Sequence, residues 1–412
     1  MREDYEVLTP SPAAILCADW GKEAHKRAVY VADVASRTVS RLASTLWSFE
    51  SVLQAAERWT NHGSVLVTFD APLGVPHSYL TALKRQRPAE DLDSFVSFLR
   101  FACGRPSYFE ATYSAADWKV ERPFFAVPPG QGGRKGYETA AASQGVELWR
   151  AIDLLTRANT LFAKSGIPGS VGSATCALWH EIGNQLTTDR SFGLWPFEGE
   201  LGHLLESWPV VVGEIYPRAA YATALSPVRS DKRPPLRLAK TDSDVRHKAM
   251  TQLLNTDWVI SGQVRILNTG EALENEDDFD ACVTAAALLR CVLEGRPLGS
   301  VRLGSVRPDL AISEGGMLGT AVIDFGQTEL SLKRDVRPRT VTIASPAYET
   351  VAGAPYHRPC PITTCEWTFK GSRGGWDAHI GSIRKHPHWH PELTAPESRK
   401  RQFKLEFPEF FR

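Results

Sequence analysis

The 412-residue chain has no excess of either charge, since 47 lysines and arginines face 47 aspartates and glutamates. A global electrostatic pull toward nucleic acid is therefore absent, and any such contact must come from a local basic patch. No apolar run approaches the roughly 20 residues that span a bilayer. The first residues, Met1 to Tyr5, are polar and acidic, with no apolar stretch behind them to make a secretory signal. The expectation is a cytoplasmic protein with no membrane partner. Cysteine is sparse, and five of the seven (Cys17, Cys103, Cys176, Cys282 and Cys291) stand singly. That distribution argues against a disulfide framework and suits reduced thiols in a core. Only Cys360 and Cys365 look paired. No internal repeat is visible.

What is present is ample apolar sequence, 43% against 23% charged, enough for one large core plus an appendage or for two or three modules. An apolar run over 13–20 and period-two alternation over 27–33 and 37–42 predict three strands. Phe49, Val52, Leu53, Ala56 and Trp59 have helical spacing, and 64–69 then predicts a buried strand ending at Asp70. The opening order is βββαβ. Helices are expected near 92–103 and over 144–162, on either side of a Gly/Pro loop at 128–136, whereas 166–206 has no clear period. The run 209–216 predicts another buried strand, closed by Pro217, and 242–254 an amphipathic helix. The clearest helix is 277–293, which opens on acidic residues and ends before Gly295 and Pro297. Beyond it, 299–343 reads as short strands, 352–359 as a linker, and Cys360 onward as a separate module. The fold class expected is α/β, a mixed sheet flanked by helices. The expected domains are 1–298 with a helical or loop insertion at about 77–207, a β-rich extension over 299–351, and a small module with a tail over 352–412.

Acidic residues stand where apolar strands end or a helix begins: Asp19, Asp70, Glu214, and the cluster Asp277, Asp278 and Asp280. In an open α/β sheet, strand ends and helix starts converge on a shared crevice. Carboxylates brought together there repel unless cations neutralise them, and hard oxygen ligands suit magnesium or manganese. Two such ions, roughly 3.5–4 Å apart, would activate water and stabilise the leaving oxygen of a phosphodiester. Each residue alone has a structural alternative. Asp70, before Ala71 and Pro72, reads equally as a turn residue, and Asp277 as a helix N-cap.

The segments Leu16-Cys17-Ala18-Asp19, Thr68-Phe69-Asp70-Ala71-Pro72-Leu73-Gly74-Val75-Pro76, Gly213-Glu214-Ile215-Tyr216-Pro217-Arg218 and Asp277-Asp278-Phe279-Asp280-Ala281 resemble domain-of-unknown-function family 429 over about residues 13 to 295. Lys240-Thr241-Asp242 with Arg246 fits the Lys and following Arg of that family. The resemblance implies an RNase H-like domain of a branch thought to contain nucleases. The Asp277-x-x-Asp280-Ala281 spacing is similar to the last, helix-borne acidic pair of RuvC-type resolvases.

Lys240 and Arg246, with Arg229, Lys232, Arg233 and Arg237, form the densest basic run of the domain. They read either as phosphate contacts near the acidic crevice, Lys240 foremost, or as a solvated loop around Pro234 and Pro235.

At the C-terminal end, Cys360-x4-Cys365 precedes His379, with His386, His388 and His390 beyond. Thiolates and imidazoles so spaced make a tetrahedral zinc site, and so short a segment has too little core to fold without one. Phe369 and Trp376 lie near the core positions of a two-Cys two-His finger. The expected ligands are Cys360, Cys365, His379 and His386, His386 being chosen because His388 and His390 lie beside Pro387 and Pro391. Arg384, Lys385, Arg399, Lys400, Arg401 and Lys404, with Trp389 and Phe403, offer a nucleic-acid surface, while many fingers bind protein instead.

Together these readings predict a metal-dependent phosphodiesterase, a nuclease, with magnesium or manganese on Asp19, Glu214 and Asp280, support from Asp277, Asp278 and Asp70, and nucleic acid as partner. Two alternatives keep the sheet: a scaffold of weak or no catalysis that binds nucleic acid or protein, and a phosphohydrolase of small metabolites.

Overall fold

A computed structural model describes residues 10–299 and 308–319 except for 45, 129–132, 157, 168, 188 and 227–235, and near the C-terminus 362, 379–380, 386, 388–393 and 396–407. The chain divides into two compact units, Met1–Ile343 and Ala344–Arg412.

The strands of the first unit are β1 (Ala14–Asp19), β2 (Ala28–Asp33), β3 (Thr38–Arg41), β4 (Val65–Phe69), β5 (Phe125–Ala126), β6 (Ala163–Ser165), β7 (Phe192–Leu194), β8 (Val210–Ile215), β9 (Arg265–Ile266) and β10 (Met317–Leu318). Its helices are α1 (Phe49–Thr60), α2 (His77–Gln86), α3 (Phe95–Cys103), α4 (Lys135–Ser143), α5 (Ala151–Thr156), α6 (Gly172–Gln185), α7 (Leu201–Ser207), α8 (Pro217–Leu225), α9 (Ser243–Leu254), α10 (Asp257–Ser261), α11 (Thr269–Glu274), α12 (Glu276–Leu293) and α13 (Pro308–Glu314).

The central sheet runs β10-β8-β4-β1-β2-β3-β9, with β7 also paired to β8. Strands β1, β2 and β3 are antiparallel neighbours, whereas β4 is parallel to β1 and β8 parallel to β4. The sheet is buried on both faces, so its central strands read as continuous apolar runs rather than alternating ones. Ala14, Leu16 and Ala18 of β1 enter one core with Val65, Val67 and Phe69 of β4 and Val210 and Val212 of β8. Ile15, Cys17, Leu66, Val211 and Ile215 enter a second core with α12 on the opposite face. Successive strand side chains point to opposite faces, and this parity decides what each strand-end acid can reach.

Helix α12 starts at an N-cap Asn275 whose Oδ1 accepts the Asp277 N–H at 2.8 Å. Glu276, Asp277 and Asp278 in its first turn complement the positive end of the helix dipole. The cap is thus Asn275, not Asp277.

One expectation is corrected. No helix runs through 144–162: α4 ends at Ser143, Gly145 takes φ +72°, and among the described residues of that stretch only the six of α5 are helical. A positive φ breaks a right-handed helix however well its apolar positions are spaced. In the region expected to be a β-rich extension, the described residues hold the helix α13 and the two-residue β10, which joins the main sheet; 300–307 and 320–351 lie outside the described residues. The second unit contains α14 (Pro396–Glu406). The linker 352–359 also lies outside the described residues.

Candidate functional site

Residues Ala18, Phe69 and Glu214 pair laterally across β1, β4 and β8. Asp19 and Asp70 each lie one position past that row, and parity turns both toward the face covered by α12. There Asp280 meets them. Asp19, Asp70 and Asp280 line one narrow crevice, walled by Cys17, Ile215, Pro217 and Thr284. Asp280 and Thr284 share a helix face by i, i+4 spacing, and Asp277 stands one turn before Asp280.

The carboxylates are held by specific partners. Asp70 Oδ1 accepts the Trp20 backbone N–H at 2.6 Å, and the Asp70 N–H donates to the Ala18 carbonyl at 3.2 Å. The Tyr221 hydroxyl of α8 donates to Asp280 Oδ1, and the Lys240 ammonium binds Asp280 Oδ2. Burial and then the Asp70 and Asp280 carboxylates hold the Asp19 carboxyl well above its ordinary range, with Lys240 pulling the other way. Asp70 is pushed up to about 6, chiefly by burial, against the Trp20 N–H and Lys240. Burial raises Asp280 as well, against Lys240 and the Tyr221 hydrogen bond. Half-buried Asp277 is raised by burial, with Lys240 opposing. For Lys240 itself burial works downward, but the carboxylates of Asp280, Asp19 and Asp70 win and its net shift is upward. This is the electrostatics of acids crowded around one cation.

Glu214 is not among them. It precedes Ile215 and so points to the other face of the sheet, where it meets Arg150, a residue with no exposed surface. Arg150 Nη1 and Nη2 donate to Glu214 Oε2 and Oε1 at 2.6 and 2.8 Å, and Asp153 takes Nη2 and Nε at 2.7 and 3.1 Å. The expectation that Glu214 joins Asp19 in the crevice is therefore corrected by strand parity. Asp278 likewise leaves the cluster: it lies next to Asp277 on the helix and turns to Arg41 of β3, whose Nε reaches Oδ1 at 2.5 Å.

Glu214 instead holds the chain that follows Asp70. Its Oε2 accepts the Leu73 N–H at 2.7 Å, while Arg150 Nη1 donates to the Leu73 carbonyl at 2.6 Å. Trp179 Nε1 takes the Pro72 carbonyl at 2.7 Å. Gly74 has φ +114°, and a Cβ there would lie 2.3 Å from the Glu314 carbonyl oxygen, so only glycine fits this close approach. Glu314 in turn accepts the His77 and Ala151 N–H groups at 3.0 and 2.6 Å. Arg150, Glu314 and Tyr221 were missed as partners. Tyr221 stands among alanines with no spacing to mark it, and the i, i+3 spacing of Arg150 and Asp153 was the one signal for Arg150.

Of the basic run, Arg229, Lys232 and Arg233 lie outside the described residues, Arg237 is exposed, and Arg246 is buried. Arg246 donates to the carbonyls of Leu273, Lys240 and Glu274 at 2.8, 2.5 and 3.1 Å, so its role is internal.

Among the described residues, no three His, Cys, Asp or Glu side chains stand as a ready metal cage. The donor set of the crevice is nonetheless suited to magnesium or manganese, being hard carboxylate oxygen, and a cation, the Lys240 ammonium, already rests against it.

In the second unit His379 and His386 are buried, with perpendicular rings 4.5 Å apart. Both rings of the expected zinc set thus lie together, while Cys360 and Cys365 lie outside the described residues, as do Phe369, Trp376, Arg384 and Lys385. His390 is engaged elsewhere, its Nδ1 to Glu392 at 2.7 Å and its Nε2 to Glu406. Arg399 and Phe403, expected on a nucleic-acid surface, are buried instead, and Arg399 donates to the carbonyls of His386 and His390 at 2.9 and 3.0 Å.

The sequence profile of a family described as "Protein of unknown function (DUF429)" matches residues 10–297, and the chain belongs to that family. No curated protein and no solved structure matches the chain. No helix among the described residues is long and apolar enough to cross a membrane.

Proposed function

We propose that this DUF429 chain hydrolyses phosphodiester bonds in nucleic acid at a divalent-metal site formed by Asp19, Asp70 and Asp280, with Asp277 at its edge. The observation that carries this reading is the convergence of the buried Asp19 and Asp280 and the half-buried Asp70 on one crevice from two parallel strand ends and one helix. The strand order β3-β2-β1-β4-β8, antiparallel through the first three and parallel from β1 to β8, supports an RNase H-like sheet. A magnesium or manganese ion held by these residues would supply the positive charge that activates water and steadies the leaving oxygen. The chain's own groups fix the geometry. The Trp20 N–H sets Asp70, Tyr221 sets Asp280, and the Glu214–Arg150 pair anchors the segment that carries Asp70. Ile215, Ala281 and Thr284 wall the crevice. The scaffold alternative draws on one observation, that both oxygens of Asp280 are engaged by Tyr221 and Lys240.

The same reading gives the second unit a structural zinc held by Cys360, Cys365, His379 and His386. It is supported by the proximity of the two buried imidazoles.

The test is cleavage of labelled single- and double-stranded DNA and RNA, beside a small phosphate diester, by the full chain with magnesium or manganese. Nucleic-acid cleavage that requires the metal and vanishes in Asp19→Asn is expected. Cleavage undiminished by that change removes the assignment, and cleavage of the small diester alone selects the metabolite alternative.

A further inference from the structure

Lys240 looks from sequence like a phosphate contact, yet its ammonium is turned inward. It binds Asp280 Oδ2, while the other oxygen of Asp280 takes the Tyr221 hydroxyl. The backbone bearing Lys240 is tied down separately. Arg246 on α9 holds the Lys240 carbonyl and, with the rest of its guanidinium, the Leu273 and Glu274 carbonyls immediately before α12. Lys240 is thereby fixed to the same helix start that presents Asp277 and Asp280. Asp19, Asp70 and Asp280 line one narrow crevice, and Lys240 stands against its Asp280 side. Buried carboxylates left without a cation are costly to fold, and Lys240 is the cation the chain itself brings to them.

We infer that Lys240 is the tethered counter-ion of the acidic site, and that a divalent ion enters only by displacing its ammonium from Asp280. The inference rests on the metal-site reading above and adds its regulation: without metal the site is neutralised by its own lysine, and it takes metal by exchange of one cation for another. The consequence has a sign. A lysine that only touches substrate phosphate leaves metal affinity unchanged, whereas one that holds the cation position competes with the metal.

Manganese binding to the full chain, followed by the electron paramagnetic resonance of free manganese and by calorimetry, tests this on wild type, Lys240→Met and Lys240→Arg. Asp19→Asn measures binding at other places. Lys240→Met is expected to bind about tenfold more tightly than wild type, the effect of removing one competing charge at an effective dielectric of a partly buried site. Its melting temperature should also rise more on adding manganese. Lys240→Arg keeps the charge and should show no such gain. If Lys240→Met does not fold without metal, manganese should restore cooperative melting, and failure to restore it overturns the inference. Equal or weaker binding by a folded Lys240→Met overturns it too, leaving the metal site in place. Absence of manganese binding in both folded proteins removes the metal-site reading, and the inference with it.

Discussion

The Arg150 guanidinium meets both oxygens of Glu214, at 2.6 and 2.8 Å, in a place where both side chains are buried. Asp153 completes the group at 2.7 Å, and the Leu73 amide and carbonyl are both captured by it. Such a pair need not stabilise the fold relative to apolar residues of equal size, but removing one partner strands a buried charge. Arg150→Met is therefore expected to cost about 3–5 kcal/mol in urea unfolding. Glu214→Gln, folded at low temperature, should still bind manganese, because Glu214 lies across the sheet from the crevice; loss of all manganese binding would make Glu214 a ligand after all.

Asp19→Asn removes one of several mutually repelling, buried carboxyls. Without metal its melting temperature should equal or exceed that of wild type, since the amide no longer carries a charge that burial disfavours. A drop of more than a few degrees in metal-free thermal melts would mean that the Asp19 charge is needed for the fold, through Lys240, more than it is opposed.

Much of this was legible in sequence, and the exceptions have physical causes. Strand ends at Asp19 and Asp70 were visible because each apolar run stops on an acid and a turn follows. The helix bearing Asp280 was visible from its acidic first turn and its Gly-Pro exit. The face of Glu214 was not. In a strand buried on both sides, such as Val210–Ile215, every position but Glu214 itself is apolar or small, and the alternation that marks a face disappears. Arg150 has Asp153 three residues on as a visible partner, but nothing in the sequence shows that its other partner, Glu214, lies 64 residues away. Lys240 was singled out, but sequence does not show which way a long side chain turns.

Stability should fall as pH rises through neutrality. Burial, against the His77 and Ala151 N–H groups, pushes Glu314 up to about 7 from an ordinary 4.5. A carboxyl raised in the folded state contributes stability that is complete below its unfolded value and lost as pH rises through the folded one. Wild type should thus melt higher at about pH 5 than at about pH 8, and Glu314→Gln should reduce that difference, because the amide does not titrate in this range, while Asp70 and Glu214, also raised by burial, keep the rest. An unchanged pH profile in Glu314→Gln would assign the dependence to other groups.

Elemental analysis of purified protein should find one zinc per chain. Chelation should then loosen the Ala344–Arg412 unit, read by hydrogen exchange, while Met1–Ile343 stays protected. Cys365→Ser should give the same pattern. A protein well folded throughout with no zinc would leave the buried imidazoles of His379 and His386 as packing alone.

The metal site is tested most directly by anomalous scattering from a crystal soaked in manganese. A peak among Asp19, Asp70 and Asp280, with the Lys240 ammonium moved off Asp280, is the expected result. Crystals at full manganese occupancy elsewhere but with no peak in that crevice, and Lys240 still bound to Asp280, would contradict it.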